Sequence, residues 1–118
     1  MPRKWTIKVK PYPPYVPGRY YTLRVTSVSK GPESGAVAVE LEHVETDQQG
    51  RHVSVLLPPP HPDGLTANFF AACGQNVEID RTLLPEDCQG KILTACFAPD
   101  SHGSWHISDF APVKEVTS

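Results

Sequence analysis

The residues best suited to chemistry lie in the first 32 positions of the chain. This segment holds seven of the eleven basic side chains and five aromatic ones, whereas every Asp and Glu lies at Glu33 or beyond. Cations there can neutralise phosphates, and the interleaved rings can stack on bases, as in proteins that bind single strands. The segment therefore predicts a nucleic-acid contact surface. A second interpretation stays open, namely a solubilising arm whose rings close one end of a barrel.

The histidines and cysteines do not predict a metal centre. His102 and His106 are four positions apart and Cys88 and Cys96 are eight apart, with no Cys-x-x-Cys pair in the chain. The two histidines also straddle a predicted turn and strand, which is not the spacing of a zinc site. Burial in an apolar core is the better account of Cys73 and Cys96. We expect no metal and no cofactor.

Catalytic groups are not expected to converge either. Asp100, His102, His106 and Asp109 crowd one predicted hairpin, but the alternation of side chains along a strand scatters them over both faces. The chain has no glycine-rich phosphate loop of either nucleotide-binding type. The sequence therefore predicts a protein without enzymatic activity.

Charge and cysteine content narrow the class of protein further. A formal net charge of −2 excludes bulk positive charge as the basis of nucleic-acid binding, so only the uneven distribution of charge supports it. The three cysteines are an odd number, and no apolar run of signal-peptide length follows the N-terminus. We expect a cytoplasmic protein with free thiols. We expect no membrane partner, because no run approaches the roughly 18 apolar residues of a membrane span.

Five short strands are predicted to position these residues. Thirteen prolines in 118 residues argue against long helices, and β-branched and aromatic residues alternate with polar ones in five separate runs. The predicted strands are residues 20–28, 36–45, 51–57, 91–98 and 104–110. The proline-rich run 58–62 ends the third strand, because residues without an N–H cannot extend a ladder.

One helix and one arm complete the predicted organisation. Residues 63–73 carry apolar side chains at helical spacing, with Asp63 or Thr66 to cap the start and Gly74 to stop the end. Residues 1–19 form a basic, proline- and aromatic-rich arm, in which residues 5–10 alternate like an additional strand. Residues 20–118 are expected to form an all-β domain, a five-stranded OB-fold (Greek-key) barrel with the short helix between strands three and four.

Short motifs along the chain add a resemblance to this architecture. They are Pro17-Gly18-x-Tyr20, Gly50-Arg51, FFAACG at 69–74, Gln89-Gly90-Lys91 and Asp109-Phe110-Ala111-Pro112. In this order, over residues 17–112, the chain resembles a family of phage and mobile-element proteins of single-strand-binding type. The resemblance implies an OB barrel that binds single-stranded DNA in replication or recombination, and it transfers no catalytic residue. The chain differs from that family in its proline run at 58–60 and in its proline-rich arm.

The sequence thus predicts a single-stranded DNA-binding protein of a phage or mobile element. Its expected partners are the DNA strand, replication or recombination proteins, and a second copy of the chain. Tyr12 and Tyr15 are expected to stack on bases, whereas Trp5 and Trp105 are equally compatible with packing. The full set of expected DNA contacts is Trp5, Lys8, Lys10, Tyr12, Tyr15, Tyr20, Arg24, Arg51, Lys91 and Trp105. The alternative is an OB-fold protein-interaction module whose arm docks on a partner or on a second copy.

Overall fold

The computed structural model describes residues 5–45 and 47–113. The strands are β1 Tyr20–Lys30, β2 Val37–His43, β3 His52–Leu57, β4 Ile92–Pro99 and β5 Trp105–Pro112. Helix α1 spans Leu65–Ala72, and a 3-10 turn spans Pro85–Cys88. The five predicted strands and the helix are confirmed, each with bounds within two residues of those expected. The 3-10 turn lies in a segment for which the sequence predicts no element.

Alternation of side chains explains why these segments form strands around a core. In β1 the side chains of Tyr21, Leu23 and Val25 are buried. Tyr20, which precedes them, and Arg24, which lies between Leu23 and Val25, are exposed. The inward positions of the other strands complete the core in the same way. Further buried residues of the strands are Val37, Val39, Leu41, Leu57, Leu93, Ala95, Phe97, Ile107 and Phe110.

The sheet has the strand order β3-β2-β1-β4-β5, and every pairing is antiparallel. The first part of β1 pairs with β4 and most of its length pairs with β2. The register shifts between Val25 and Ser27, and again between Cys96 and Phe97. Such bulges bend a strand and increase its twist. The sheet curls into a half-barrel, in which β3 and β5 are the two edges.

Helix α1 packs on β5 and fills the half-barrel from one side. Phe69 and Phe70 are buried, as expected. Phe69 meets the ring of Phe110 edge-on, with 5.2 Å between ring centroids. The helix therefore contributes large apolar side chains to the same core as the strands.

The ends of α1 differ in part from the prediction. Neither Asp63 nor Thr66 caps the start, because Gly64 occupies the N-cap position without a side-chain bond. Thr66 Oγ1 instead donates to the carbonyl of Pro58 at 2.8 Å, which ties the helix to the end of β3. Gly74 ends the helix with a φ of +90°, as expected for the left-handed conformation that favours glycine.

The arm does not form the additional strand predicted at residues 5–10. These residues lie outside any strand, and Trp5, Ile7 and Val9 are 89%, 76% and 98% exposed. Alternation marks an amphipathic segment, but a strand also needs an edge to pair with. The side chains of Trp5, Ile7 and Val9 consequently remain uncovered.

All three cysteines are free, as expected, and the burial expected of Cys73 and Cys96 extends to Cys88. Cys73 lies at the end of α1 and Cys88 lies in the 3-10 turn. A hydrogen bond between the two thiols, together with burial, raises the pKa of Cys73. Because the thiolate is the reactive form, a buried and protonated thiol is a poor nucleophile.

The folded protein should therefore react slowly with thiol reagents. We expect a disulfide reagent to count all three thiols in denaturant, and far fewer in native buffer over the same time. Cys96→Ser should lower the count in denaturant by one and serves as the calibration. A count of one in wild-type protein prepared without reductant would contradict the prediction, because it would reveal an internal disulfide.

Candidate nucleic-acid interface

The residues predicted to contact DNA fall into three groups in the structure. One group meets at an end of the half-barrel and comprises Tyr12, Tyr15, Arg51 and Trp105. A second group lies on the outer side of β1 and β4 and comprises Tyr20, Arg24 and Lys91. The third group lies on the exposed arm and comprises Trp5, Lys8 and Lys10.

Tyr15 is buried, which corrects the prediction that its ring is free to stack on bases. The residue is only 5% exposed. The ring of Phe97 stacks on one face, with 3.9 Å between centroids and 6° between planes. The guanidinium of Arg51 covers the other face, with its Cζ 4.1 Å from the Tyr15 centroid. Tyr15 is therefore a core ring contributed by the arm.

Polar contacts hold the same part of the arm. The carbonyl of Pro13 accepts a hydrogen bond of 2.8 Å from Gln48 Nε2, and Arg51 Nη1 donates to Gln48 Oε1 at 3.0 Å. The hydroxyl of Tyr15 lies 2.7 Å from His43 Nε2. We call these five residues, Pro13, Tyr15, His43, Gln48 and Arg51, the anchor. The anchor fastens the arm to the end of β2 and to the turn before β3.

His43 has the most altered pKa of the anchor. It is 1% exposed, and its Nδ1 has no hydrogen-bond partner among the described residues. Burial, and then the Arg51 cation, lower the pKa of His43 to about 4, against the opposing effects of Glu45 and Asp47. The imidazole is consequently neutral at pH 7.

The anchor also bridges the two edge strands. Arg51 directly precedes β3, and Trp105 is the first residue of β5. The Tyr15 ring lies under Arg51 and meets Trp105 edge-on, at 5.7 Å between centroids. Trp105 is half-buried and packs against the core, so it serves as a packing residue here. One ring of the arm thereby covers the end of the half-barrel where β3 and β5 begin.

Tyr12 remains accessible next to the anchor. It is 47% exposed, and the Arg51 Cζ lies 5.5 Å from its ring centroid. Lys8 and Lys10, which precede it on the arm, are exposed as well. No acidic residue lies in this part of the chain. The arm therefore presents two accessible rings, Trp5 and Tyr12, together with the exposed ammonium groups of Lys8 and Lys10.

A second accessible surface runs along the outer side of β1 and β4. Arg24 pairs with Ile92 across the two strands, and exposed Lys91 directly precedes Ile92. Tyr20 is 44% exposed, and its hydroxyl donates a hydrogen bond to the Asp109 carboxylate, which raises the pKa of Tyr20. We call Tyr20, Arg24, Lys91 and Ile92 the β1–β4 strip. Aromatic, basic and apolar groups are all present in it.

The neighbouring outer surface of β2 and β3 has the opposite charge. Glu40 and Glu42 lie there, opposite Ser54 and His52 in the register of the two strands. Arg24 also faces Glu42 across the β1–β2 pair, which partly offsets its charge. Phosphates are therefore favoured at the arm and at Lys91, and are disfavoured on the β2–β3 surface.

Sequence reasoning missed three anchor residues, Pro13, His43 and Gln48. His43 occupies an inward position of β2 in phase with Val39 and Leu41, so the alternation itself carried a signal. Gln48 lies in the turn between β2 and β3 and is fully buried. Its role depends on the carbonyl of Pro13, 35 positions earlier, and no local pattern could indicate that contact.

Within residues 5–45 and 47–113, no three His, Cys, Asp or Glu side chains are grouped so that they could hold a metal ion. Neither helical segment of this described part is long and apolar enough to cross a membrane. No family model, curated protein or solved structure matches the chain.

Proposed function

We propose that this protein is an OB-fold protein that binds single-stranded DNA, in the replication or recombination of a phage or mobile element. The observation that carries the proposal is the exposed, acid-free combination of Lys8, Lys10 and Tyr12 on an arm anchored to the half-barrel. The strand order β3-β2-β1-β4-β5 supports an OB-type barrel that is open between β3 and β5.

We assign the phosphate contacts to four exposed basic residues, namely Lys8, Lys10, Arg24 and Lys91. Arg51 acts indirectly, because its guanidinium is bonded to Gln48 and stacked on Tyr15. Stacking on bases falls to Trp5, Tyr12 and Tyr20, whose rings are largely exposed near these cations. The proposed DNA surface is thus the arm together with the β1–β4 strip.

The distribution of charge favours the arm and the β1–β4 strip over the surface on which OB folds usually bind nucleic acids. OB barrels commonly bind single strands on the face of strands two and three and on the adjoining loops. Here that face carries Glu40 and Glu42, and the loops carry Glu33 and Asp100. A polyanion gains nothing from such a surface. We therefore propose that single-stranded DNA binds to the arm and the β1–β4 strip.

Titration of a labelled oligo-deoxythymidine, followed by fluorescence anisotropy, tests the proposal. Four single-strand phosphate contacts at about 0.7 each predict a log–log salt slope of about −3. The variant Lys8→Ala/Lys10→Ala should make that slope shallower by about 1.4. Tyr12→Ala should lose about 1 to 3 kcal/mol of affinity at an unchanged melting temperature, because the ring is exposed.

Lys30→Ala is the matched control for the lysine variants, because Lys30 is exposed but lies at the far end of β1 from the arm. It should retain the wild-type slope. A slope that changes as much in Lys30→Ala as in the double-lysine variant would remove the arm from the binding surface. If duplex DNA competes better than the single strand, the protein would instead recognise a groove of the DNA double helix.

A protein-interaction module is the second candidate function. The exposed Trp5, Ile7 and Val9 favour it, because apolar side chains on an extended segment suit docking onto another protein. This candidate predicts a folded protein without affinity for the oligonucleotide even at low ionic strength. The same anisotropy titration therefore separates the two functions.

A further inference from the structure

A groove of about 710 Å³ lies between the loop that joins β1 to β2 and the 3-10 turn. The side chains that line it include apolar Val28 and Leu84, acidic Glu33, Glu86 and Asp87, and one base, Lys30. Leu84 is 55% exposed although it is a large apolar residue. The groove therefore combines an uncovered apolar wall with an excess of negative charge.

This composition indicates what the groove can bind. Three carboxylates against one ammonium group disfavour a phosphate, so the groove is no part of the proposed DNA surface. The complementary occupant is an extended segment that is both apolar and basic. The arm has this composition, because Trp5, Ile7 and Val9 alternate with Lys8 and Lys10 and project to the opposite side of an extended chain.

We propose that the groove of one copy of this protein binds the arm of a second copy. Trp5 and Ile7 would cover the apolar wall at Leu84, while Lys8 and Lys10 reach the carboxylates at the rim. Burial of the apolar side chains supplies the attraction, and the charges select the basic arm over other apolar segments. Each copy carries one arm and one groove, so the contact joins two different surfaces.

Reach favours a second copy over the chain's own arm. The anchor holds the arm beside Arg51, and the six residues of β3 extend from there for about 20 Å before β3 ends opposite Val37, which lines the groove. From Tyr12 back to Trp5 the arm spans at most about 24 Å. Its own Trp5 would arrive only at the entrance, with Ile7 and Val9 left outside. The arm of another copy is free of this limit.

Sedimentation velocity at low ionic strength and without DNA tests the proposal, over a range of protein concentrations. Wild type should show a mass above that of the monomer, rising with concentration. The arm variant Trp5→Ala/Ile7→Ala and the groove variant Glu33→Lys/Glu86→Lys should each remain monomeric. An equimolar mixture of these two variants should form a species of two chains and nothing larger, because only one arm and one groove then match.

The charge-matched control is Glu40→Lys/Glu78→Lys, which makes the same change in net charge at exposed acids outside the groove. It should assemble as wild type does. All substituted side chains are exposed, and circular dichroism at each condition verifies that the variants are folded.

Two outcomes would overturn the proposal. The first is a wild-type protein that stays monomeric at every concentration, which includes the case in which each arm occupies the groove of its own chain. A mixture that stays monomeric while wild type assembles would overturn it as well. Because DNA is absent, either failure leaves the proposed DNA binding untouched.

Discussion

Tyr15→Ala is expected to lower the free energy of unfolding by about 3 to 5 kcal/mol, the usual cost of truncating a buried aromatic ring. The variant loses the stacking with Phe97 at 3.9 Å and the hydroxyl contact with His43 at 2.7 Å. The guanidinium of Arg51 also loses the ring beneath it. Urea unfolding at pH 7 measures the change.

Two further variants make the Tyr15 result specific. Tyr12→Ala removes an exposed ring of the same arm and should stay within about 0.5 kcal/mol of wild type. Tyr15→Phe keeps the ring and should cost about 1 to 3 kcal/mol, because the buried His43 Nε2 then lacks a partner. A Tyr15→Ala protein as stable as Tyr12→Ala would mean that the arm is not anchored. Tyr15 would then return to the candidate DNA surface.

The sheet was predictable because its strands are amphipathic in the simplest way. Every second side chain is buried throughout β2 and from Tyr21 to Val25 in β1, and glycine or proline separates the runs, so the period and the turn residues together locate the strands. The same period at residues 5–10 predicted a strand that does not form. Periodicity records which side chains are apolar, whereas a strand also requires a neighbouring edge, and no local pattern encodes that edge.

The anchor could not be predicted from local sequence patterns for a related reason. Tyr15 stands in a proline-rich connector that reads as exposed, and its partner His43 lies 28 positions away. Burial of Tyr15 follows from the gap between β3 and β5, which exists only once the sheet has curled. Of the residues predicted to contact DNA, those on the arm and on the β1–β4 strip are accessible as expected. The exceptions are Tyr15 and Trp105, which pack at one end of the half-barrel, and Arg51, whose guanidinium is held by Gln48 and Tyr15.

Acidification should destabilise the protein in a window set by His43. The pKa of His43 is about 4 in the folded protein and about 6.5 in the unfolded chain, so between these values the unfolded chain binds the additional proton. The contribution of His43 to the free energy of unfolding is therefore complete above about pH 6.5 and is lost as the pH falls toward 4. The difference between the two pKa values corresponds to about 3 kcal/mol of unfolding free energy.

His43→Gln isolates this contribution, because glutamine keeps a polar side chain at the site and does not titrate. Wild type should exceed the variant in stability at pH 7, and that excess should shrink by about 3 kcal/mol by pH 4, since carboxylate titration is common to both proteins. His52→Gln replaces an exposed histidine and should keep the pH dependence of wild type. Parallel pH curves for wild type and His43→Gln would mean that the imidazole is solvated in the folded protein. A solvated imidazole is incompatible with the buried contact to Tyr15, so the pH series and the Tyr15 variants test one anchor by two independent measurements.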